Sequence, residues 1–502
     1  MTKSIFEVSR AATRVVFAAQ LATQIIAVLS LAILYRLLQP ADFGLLGMAV
    51  PLVMLPRMLA NSGIHAAAVQ QSRLSSEQLS SLFWWNLSAG CVAAAMTAAG
   101  AVPLAAIYKV AELAEIGWWL AGTSILAAVE SQYQAGWVRE LRIGRVAVSR
   151  LAAMVAGCLT AVAAAQANFG VWALVMQMYA ELFFLSVFLF AAGWWIPNWP
   201  WQGQSVRGLL RFGGYYSLSG LLFYVAQNAD KVILAVAIGS TRTGQAFIGM
   251  YTQAYNLMMK PVYFVSAPLS SVMLPILSQA HSHTQAADRT AVETLAVGYF
   301  RLVSILLMPC AAGLFATAPD VMLLLGGESW FDAGWMLMAF APAALIHGHY
   351  NVMGSMFAAA GRADRLLFGA AMRCLLMIQG YFAAVLFSES PRTIVLAMAA
   401  SYTLMLVVVL FVPYLSFCAT TTGVKPLRLL GQMGRPFSRA AIMGAVVWSA
   451  RQVLLATNLA ATPRVTILVI LGLVLYGALA FPDLRWACRE LGPTASKSLP
   501  DL

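Results

Sequence analysis

Apolar runs of about 20 residues recur along the whole chain, and each is long enough to cross about 30 Å of hydrocarbon as an α-helix. Stretches such as Leu302–Ala318 and Ile467–Phe481 are apolar nearly all round, without the strict alternation of a membrane β-strand. Of the 502 residues, 61% are hydrophobic and only 10% are charged, against about 25% charged in a typical soluble domain. The sequence therefore predicts an all-α polytopic membrane protein.

Fourteen transmembrane spans are predicted, and the loops between them are short. Their approximate bounds are 13–37, 44–68, 82–107, 116–136, 148–167, 170–194, 212–238, 247–273, 296–318, 333–359, 367–388, 393–417, 438–457 and 465–482. The longest polar stretches, near Ser278–Glu293 and Thr420–Arg435, are too short to hold an extramembrane domain.

The distribution of basic residues predicts the orientation of the chain. With both termini on the cytoplasmic side, 19 of the 31 Lys and Arg residues fall in cytoplasmic segments and five fall in outer ones. This is the bias expected for an inner-membrane protein, whereas the opposite orientation would invert it. The net charge of +12 is thus explained by topology and by anionic lipid at the inner surface, and it requires no nucleic-acid partner.

A weak internal repeat divides the chain into two halves. Aligning Gly47 with Gly249 also pairs Met48 with Met250 and brings Arg57, beside a proline, near Lys260, again beside a proline. Many transporters consist of two such related bundles. We therefore expect six-helix lobes at 1–200 and 205–418, followed by a helix pair and a cytoplasmic tail at 419–502.

Seven basic residues lie within the predicted spans, where a cation costs at least about 2.5 kcal/mol unless it faces a cavity or a partner. They are Arg14, Arg57, Lys231, Lys260, Arg301, Arg373 and Arg451. The eighth span carries a polar stripe of Gln253, Asn256 and Lys260 at helical spacing, and the second span carries Arg57 and Asn61 one turn apart.

These stripes predict a cationic cavity suited to a phosphate or pyrophosphate group. Its candidate binding residues are Arg14, Arg57, Lys231, Lys260, Asn61, Gln253 and Asn256. Structural alternatives remain open: Arg14 near the end of its span could snorkel to the headgroups, and Lys231 could pair with the neighbouring Asp230. Polar aromatic residues that are candidates for contact with sugar rings include Tyr215, Tyr216, Tyr251 and Tyr255.

Three acids, Glu130, Glu181 and Asp230, also lie within spans, and any of them could bind a coupling proton or sodium ion. Asp230 and Glu181 are the candidates for this role, whereas a hydrogen-bonded structural role is favoured for Glu130. The intramembrane residues His347 and His349 are expected to hydrogen-bond between helices. The six cysteines form no CxxC pair, so we expect packing residues rather than a metal site or disulfide framework. No cofactor is predicted, and the coupling ion stays open.

Several short segments resemble bacterial Wzx-like polysaccharide and O-antigen flippases. The resemblance lies in the run from Leu38 to Met48, in Gln70-Gln71 with Arg73-Leu74, in Ser81 to Asn86, in Asn228-Ala229-Asp230-Lys231, and in Gly249-Met250-Tyr251 with Ser270-Ser271 and Leu274-Pro275-Ile276. It covers most of residues 1–420 and places the chain in the polysaccharide transporter family of the multidrug/oligosaccharidyl-lipid/polysaccharide exporter superfamily.

This resemblance implies a two-lobed fold that works by alternating access. It implies that the substrate is a polyprenyl-pyrophosphate-linked oligosaccharide, flipped to the outer leaflet for synthesis of exopolysaccharide, O-antigen or capsule. It also implies a cationic central cavity, with Arg57 and Lys260 as its carried-over residues, and protein partners in the polysaccharide polymerase and export machinery. Asp42 matches a loop motif of the family and is interpreted as a helix N-cap.

Two other functions fit an integral membrane protein of this kind. A multidrug exporter of the same superfamily would need an acidic or apolar cavity for cationic drugs, and the predicted cavity is basic. A membrane polysaccharide polymerase or ligase would need a sizeable outer loop or an exposed acidic pair, and the outer loops are short. A Gly-rich phosphate loop is absent from the sequence, which disfavours ATP hydrolysis.

Overall fold

The computed structural model describes residues 2–70, 76–140, 142–193, 196–198, 224–225, 227–282, 286–457 and 459–491. All regular secondary structure in these ranges is helical, as the sequence predicts. The chain divides into two compact units, residues 1–249 and 250–502.

The first unit contains seven helices and the start of an eighth. They are α1 (Thr2–Leu37), α2 (Pro40–Gln70), α3 (Ser76–Tyr108), α4 (Glu112–Arg139), α5 (Ile143–Gln166), α6 (Val171–Ala192), α7 (helical over 227–238) and the beginning of α8 (Arg242–Ser282). Helix α4 packs against α2, α3 and α6, and α5 packs against α1 and α6, so that α2, α4, α5 and α6 form one contiguous bundle.

The second unit contains the rest of α8 and the helices that follow. These are α9 (Ala286–Gly326), α10 (Phe331–Ala359), α11 (Ala363–Leu386), α12 (Pro391–Leu404), α13 (Phe411–Thr422), α14 (Pro426–Ala456) and α15 (Ala461–Leu491). A π-helical turn, Met405–Leu410, joins α12 and α13 into one rod. The Tyr350 hydroxyl donates to the Leu406 carbonyl in that turn, at 3.2 Å. Helix α9 packs against α10, α14 and α15.

Each predicted span corresponds to a helix, with only the 224–225 and 227–238 portions of the seventh span described. Among the described residues, ten helical stretches are long and apolar enough to cross a membrane. The predicted polar loops were too long: α8 continues to Ser282, α9 begins at Ala286 and α14 begins at Pro426. The predicted spans end where the hydropathy falls, at the boundary of the hydrocarbon layer. The helices themselves continue past that boundary in polar turns.

Helix α2 begins two residues before Asp42, which corrects the predicted position of its cap. Pro40 occupies the first helical position, where its missing N–H costs nothing, and the Asp42 carboxylate accepts the Gln39 backbone N–H at 3.0 Å. The Arg242 guanidinium at the start of α8 donates to the other Asp42 oxygen at 3.0 Å. Asp42 is therefore a structural residue that stabilises the start of α2 and ties it to α8.

Two glycines allow the first turns of α2 and α8 to touch backbone to backbone. A Cβ on Gly44 would overlap the carbonyl oxygen of Gln245, and a Cβ on Gly249 would overlap that of Pro40. The contact is reciprocal, because each helix contributes one glycine and one carbonyl. No larger residue fits at either position without separating the helices.

Two buried aspartates each hold a pair of arginines across α9, α14 and α15. Asp483 of α15 binds Arg301 of α9 at 2.6 Å and also Arg439 of α14. The Arg301 guanidinium lies 4.2 Å from the ring centroid of Trp486, a cation–π contact. Arg301 therefore holds three helices together and is not a residue of the predicted cavity.

Asp320 of α9 makes the equivalent connection near the other end of these helices. Its carboxylate binds Arg451 of α14, and its other oxygen lies 2.5 Å from Nη2 of Arg464 at the start of α15. All three residues are at least nine-tenths buried. Arg451 is thus also structural, and the second acid–arginine cluster fixes α14 and α15 to α9.

Replacing Asp320 by Asn should strongly destabilise the second unit, because it leaves two buried arginines without their carboxylate. Breaking a buried ion pair costs about 3–5 kcal/mol. The Tm of the purified protein in detergent should fall markedly. The matched control is Asp332→Asn, whose 2.8 Å pair with Arg392 is partly exposed and is worth about 1 kcal/mol or less. Equal falls in Tm for the two variants would contradict this account.

Replacing Gly249 by Ala should also lower the Tm, because its Cβ would meet the backbone carbonyl of Pro40, which cannot move independently of α2. Gly313→Ala in α9 is the control, since a Cβ there meets nothing within 4 Å. Within a helix that change should stabilise by about 0.5–1 kcal/mol. A Gly249→Ala protein as stable as the Gly313→Ala protein would disprove the close contact.

Candidate functional site

Helix α8 carries the predicted polar stripe on the face turned away from the core of the second unit. Asn256 is exposed and Gln253 and Lys260 are partly exposed, whereas Met258 and Val262 on the other face are buried. Lys260 forms no hydrogen bond or ion pair with any residue in the described ranges. The three polar side chains are therefore oriented to meet a ligand or water.

Tyr251 and Tyr255 lie on the buried face of α8, so the suggested contact with sugar rings is wrong. Their rings pack against Phe340, with centroids 5.1 and 5.6 Å away, and Tyr255 also packs against Tyr402 at 5.6 Å. Both tyrosines belong to an aromatic core between α8, α10 and α12. Along the sequence they lie within two residues of the polar stripe, and only the packing shows that they are on a different face. Tyr215 and Tyr216 lie outside the described residues.

Arg57 and Lys260 lie at similar distances from the starts of α2 and α8, the second helix of each predicted half. Arg57 follows Pro40, the start of α2, by 17 residues, and Lys260 follows Arg242, the start of α8, by 18. At 1.5 Å per residue, both lie about 26 Å along their helices. The internal repeat predicted from sequence thus places one partly exposed cation at the same level of each second helix.

Two carboxylates lie within electrostatic range of Arg57, which is therefore not in a purely cationic environment. They are Glu130 of α4 and Glu181 of α6, and both are also within electrostatic range of Arg150 of α5. No hydrogen bond joins Arg57 to another described residue.

Sequence reasoning missed this charge cluster, which we define as Arg57, Glu130, Arg150 and Glu181. Arg150 lies on α5 and donates to Gln134 Oε1 of α4 at 2.8 Å. Glu130 and Gln134 are one turn apart in an apolar helix. This spacing could have indicated a polar face on α4 from the sequence alone.

Asp230 and Lys231 form a local network on α7. The Lys231 backbone N–H donates to Asp230 Oδ1 and its ammonium donates to Asn228 Oδ1, both at 2.8 Å. Asp230 is 2% exposed, and Lys231 lies seven residues before the last helical residue of α7. Lys231 therefore lies much nearer a helix end than Arg57 and Lys260 do.

Two predicted binding residues can be placed only on their helices. Arg14 lies on α1 and Asn61 lies on α2, one turn after Arg57, and both side chains fall outside the described residues.

The buried histidines connect helices of the second unit, as expected. His349 shares a 2.9 Å hydrogen bond with Ser304 of α9, and His347 hydrogen-bonds Tyr402 of α12. Five of the six cysteines are free thiols: Cys91, Cys158, Cys310, Cys374 and Cys418. No group of three or more His, Cys, Asp or Glu residues in the described part could hold a metal ion.

The sequence profile of a family described as polysaccharide biosynthesis protein matches residues 33–334, more than half of the chain. The succinoglycan biosynthesis transport protein ExoT of Rhizobium meliloti is 25% identical over 302 residues, 59% of this chain and 58% of the relative. The lipopolysaccharide biosynthesis protein WzxC of Escherichia coli is 23% identical over 341 residues, 66% of each chain. The matched region thus spans less than two thirds of these two relatives.

Two classes of solved structure share the fold. The lipid II flippase MurJ, in an inward closed conformation, superposes with a TM-score of 0.72 at 10% identity, covering 94% of this chain and 98% of MurJ. An inward-facing multidrug resistance MATE transporter gives a TM-score of 0.62 at 13% identity, covering 80% and 96%. The all-α fold is thus shared with MurJ and with this MATE transporter. The profile match shows that the chain belongs to the polysaccharide biosynthesis protein family.

Proposed function

We propose that this protein is a flippase that moves a polyprenyl-pyrophosphate-linked oligosaccharide across the bacterial inner membrane by alternating access. The observation that carries the proposal is the pair Arg57 and Lys260, at equal depth on the second helix of each half and without a hydrogen-bonded partner in the described structure. A cation within a membrane-spanning helix is costly, and both side chains have donor groups that no hydrogen bond in the described structure uses, which supports a ligand with the opposite charge.

The chemistry of these side chains favours a diphosphate. Arg57 offers planar paired donors to phosphate oxygens, and Lys260 offers a compact charge. Gln253 and Asn256, on the same face as Lys260, add neutral hydrogen-bonding groups of the kind that bind sugar hydroxyls. Together they would offset the cost of taking the charged head group out of water, while the polyprenyl tail stays in lipid.

The relatives support the same class of substrate. ExoT is named as a transport protein of succinoglycan biosynthesis, and WzxC is named for lipopolysaccharide biosynthesis. MurJ, which shares the fold, is a flippase of lipid II. We therefore propose a transporter rather than an enzyme, with the polymerase and export machinery of the same pathway as its protein partners.

We further propose that both termini face the cytoplasm. The excess of Lys and Arg, 19 against five, favours this orientation. It puts the α1–α2 and α7–α8 turns outside and Arg57 and Lys260 in the cytoplasmic half, where a head group would enter.

Replacing Arg57 or Lys260 by Ala should reduce polymer export sharply while leaving membrane insertion intact. Each loses a charge-assisted contact worth about 1.5–3 kcal/mol, which weakens head-group binding about tenfold to hundredfold. Arg57→Lys and Lys260→Arg keep the charge and should retain part of the activity. The measurement is surface polymer in a host lacking its own flippase, with protein level checked by immunoblot.

The control variant is Lys109→Ala, which removes an exposed cation from the α3–α4 turn. Lipid-linked repeat units should accumulate in the inner leaflet of cells with Arg57→Ala or Lys260→Ala, and not with Lys109→Ala. Unpolymerised units in the outer leaflet would instead identify a polymerase or ligase. Unchanged glycan with altered drug sensitivity would identify a multidrug exporter.

The orientation predicts the labelling of single cysteines placed in a cysteine-free protein. A cysteine at Lys109 should react with a membrane-impermeant maleimide in intact cells, because the α3–α4 turn lies outside. A cysteine at Gly361, in the α10–α11 turn, should react only after the membrane is opened. The reverse pattern would overturn the proposed topology.

A further inference from the structure

The cluster around Asp483 contains one positive charge more than it contains negative charge. Arg301 of α9 and Arg439 of α14 share the single Asp483 carboxylate. The Asp483 side chain is 4% exposed, whereas the two arginine side chains are 25% and 21% exposed. A charge that is partly withdrawn from water is costly unless an opposite charge compensates it. The arginines are therefore the part of this cluster that an anion can reach and neutralise.

Helix α14 extends this positive charge as a stripe along one of its faces. Lys425, Arg428 and Arg435 precede Arg439 by 14, 11 and four residues, a spacing that places all four on the same face. Arg428 is paired with Glu293 of α9 at 3.0 Å. Lys425 and Arg435 are exposed, and neither side chain forms a hydrogen bond or ion pair with any residue in the described ranges. Two cations of the stripe thus have donor groups available to an external ligand.

Beyond Arg439 the same face of α14 is apolar and exposed. Ile442, Val446 and Val453 follow Arg439 by three, seven and 14 residues, which keeps them on the face of the basic stripe, and all three are exposed. In a membrane-spanning helix, exposed Ile and Val side chains are in contact with lipid chains rather than with water. The face therefore changes from basic to apolar within one turn of Arg439.

This change lies at the edge of the hydrocarbon layer. The apolar stretch of α15 runs from Ala461 to Asp483, and Asp483 binds Arg439, so both members of this ion pair lie at the edge. Arg435 is one turn, about 6 Å, further out along α14. Arg435 and Arg439 therefore lie at the level of the lipid head groups, where the anions are lipid phosphates.

We propose that this face of α14 binds an anionic phospholipid of the inner leaflet. Arg435 and Arg439 hold the phosphate, and an acyl chain lies along the apolar part of the face. A phospholipid matches both parts, whereas a soluble acidic protein would match only the cations. The phosphate supplies the negative charge that the Asp483 cluster lacks, so the bound lipid stabilises the contact of α14 with α9 and α15.

The lipid site requires no particular transported substrate. It takes from the proposed function only the orientation of the chain, which puts the start of α14 on the cytoplasmic side and selects the inner leaflet. Binding of lipid by the purified protein is independent of that orientation, which cysteine labelling tests separately.

The first experiment measures the Tm of the full-length protein in phosphatidylcholine nanodiscs that contain an increasing fraction of phosphatidylglycerol. The wild-type Tm should rise with that fraction, because a ligand that binds the folded protein stabilises it. Arg435→Gln should need about fivefold more phosphatidylglycerol for the same rise, whereas Arg435→Lys, which keeps the charge, should resemble the wild type. The control is Arg485→Gln, which removes an exposed cation at a similar level of α15.

A wild-type Tm that does not respond to phosphatidylglycerol would overturn the site. An equal loss of response in Arg435→Gln and Arg485→Gln would overturn it as well, because the response would then reflect the general charge of the surface. Inorganic phosphate added to nanodiscs of pure phosphatidylcholine should leave the Tm unchanged. A rise with inorganic phosphate equal to that with the lipid would assign the cations to a soluble phosphate and contradict the lipid.

The second experiment tests where the lipid lies. A bimane fluorophore is attached to Ile442→Cys in a cysteine-free protein, and the nanodiscs contain phosphatidylglycerol or phosphatidylcholine with the same spin-labelled acyl chain. Phosphatidylglycerol should quench the fluorophore more strongly than phosphatidylcholine, and this difference should disappear when Arg435→Gln is added. The control Phe481→Cys, an exposed position at a similar depth of α15, should be quenched equally by both lipids. Equal quenching by the two lipids at position 442 would refute the proposal.

Discussion

The carboxylate of Asp320 binds two buried arginines from two other helices, and the packing of the second unit depends on this kind of contact. Inside a membrane a charge without a partner is expensive, so each acid–arginine cluster penalises any arrangement that separates α9, α14 and α15. A second cluster around Asp483 repeats the connection near the other end of the same helices. The C-terminal helix pair is in this way held at two levels, which apolar packing in lipid would not achieve by itself.

Arg57 in the first unit differs from the arginines of the second unit in how it is paired. We use that difference to distinguish structural groups from candidate functional ones. The arginines around Asp320 have hydrogen-bonded partners, whereas Arg57 is only within electrostatic range of Glu130 and Glu181. Arg57 therefore keeps donor groups that no hydrogen bond in the described residues uses.

Close contacts fix the starts of α2 and α8, the two helices that carry the proposed binding cations. Helices α2 and α8 begin at Pro40 and Arg242, and each uses a glycine to approach the backbone of the other. Asp42 caps the first helix and also binds the second. Arg57 and Lys260 each lie about 26 Å from the start of their own helix.

The sequence by itself determined the membrane class, the helical spans and the positions of Arg57 and Lys260, because hydropathy and helical period are local properties. It also predicted that the intramembrane histidines join helices. Only the tertiary structure decided which charges neutralise one another, since Asp320 pairs with Arg451, 131 residues away along the chain, and Asp483 pairs with Arg301, 182 residues away. It likewise turned Tyr251 and Tyr255 inward. Those outcomes depend on which helix faces pack together, and a single sequence contains no direct measure of contacts between distant segments.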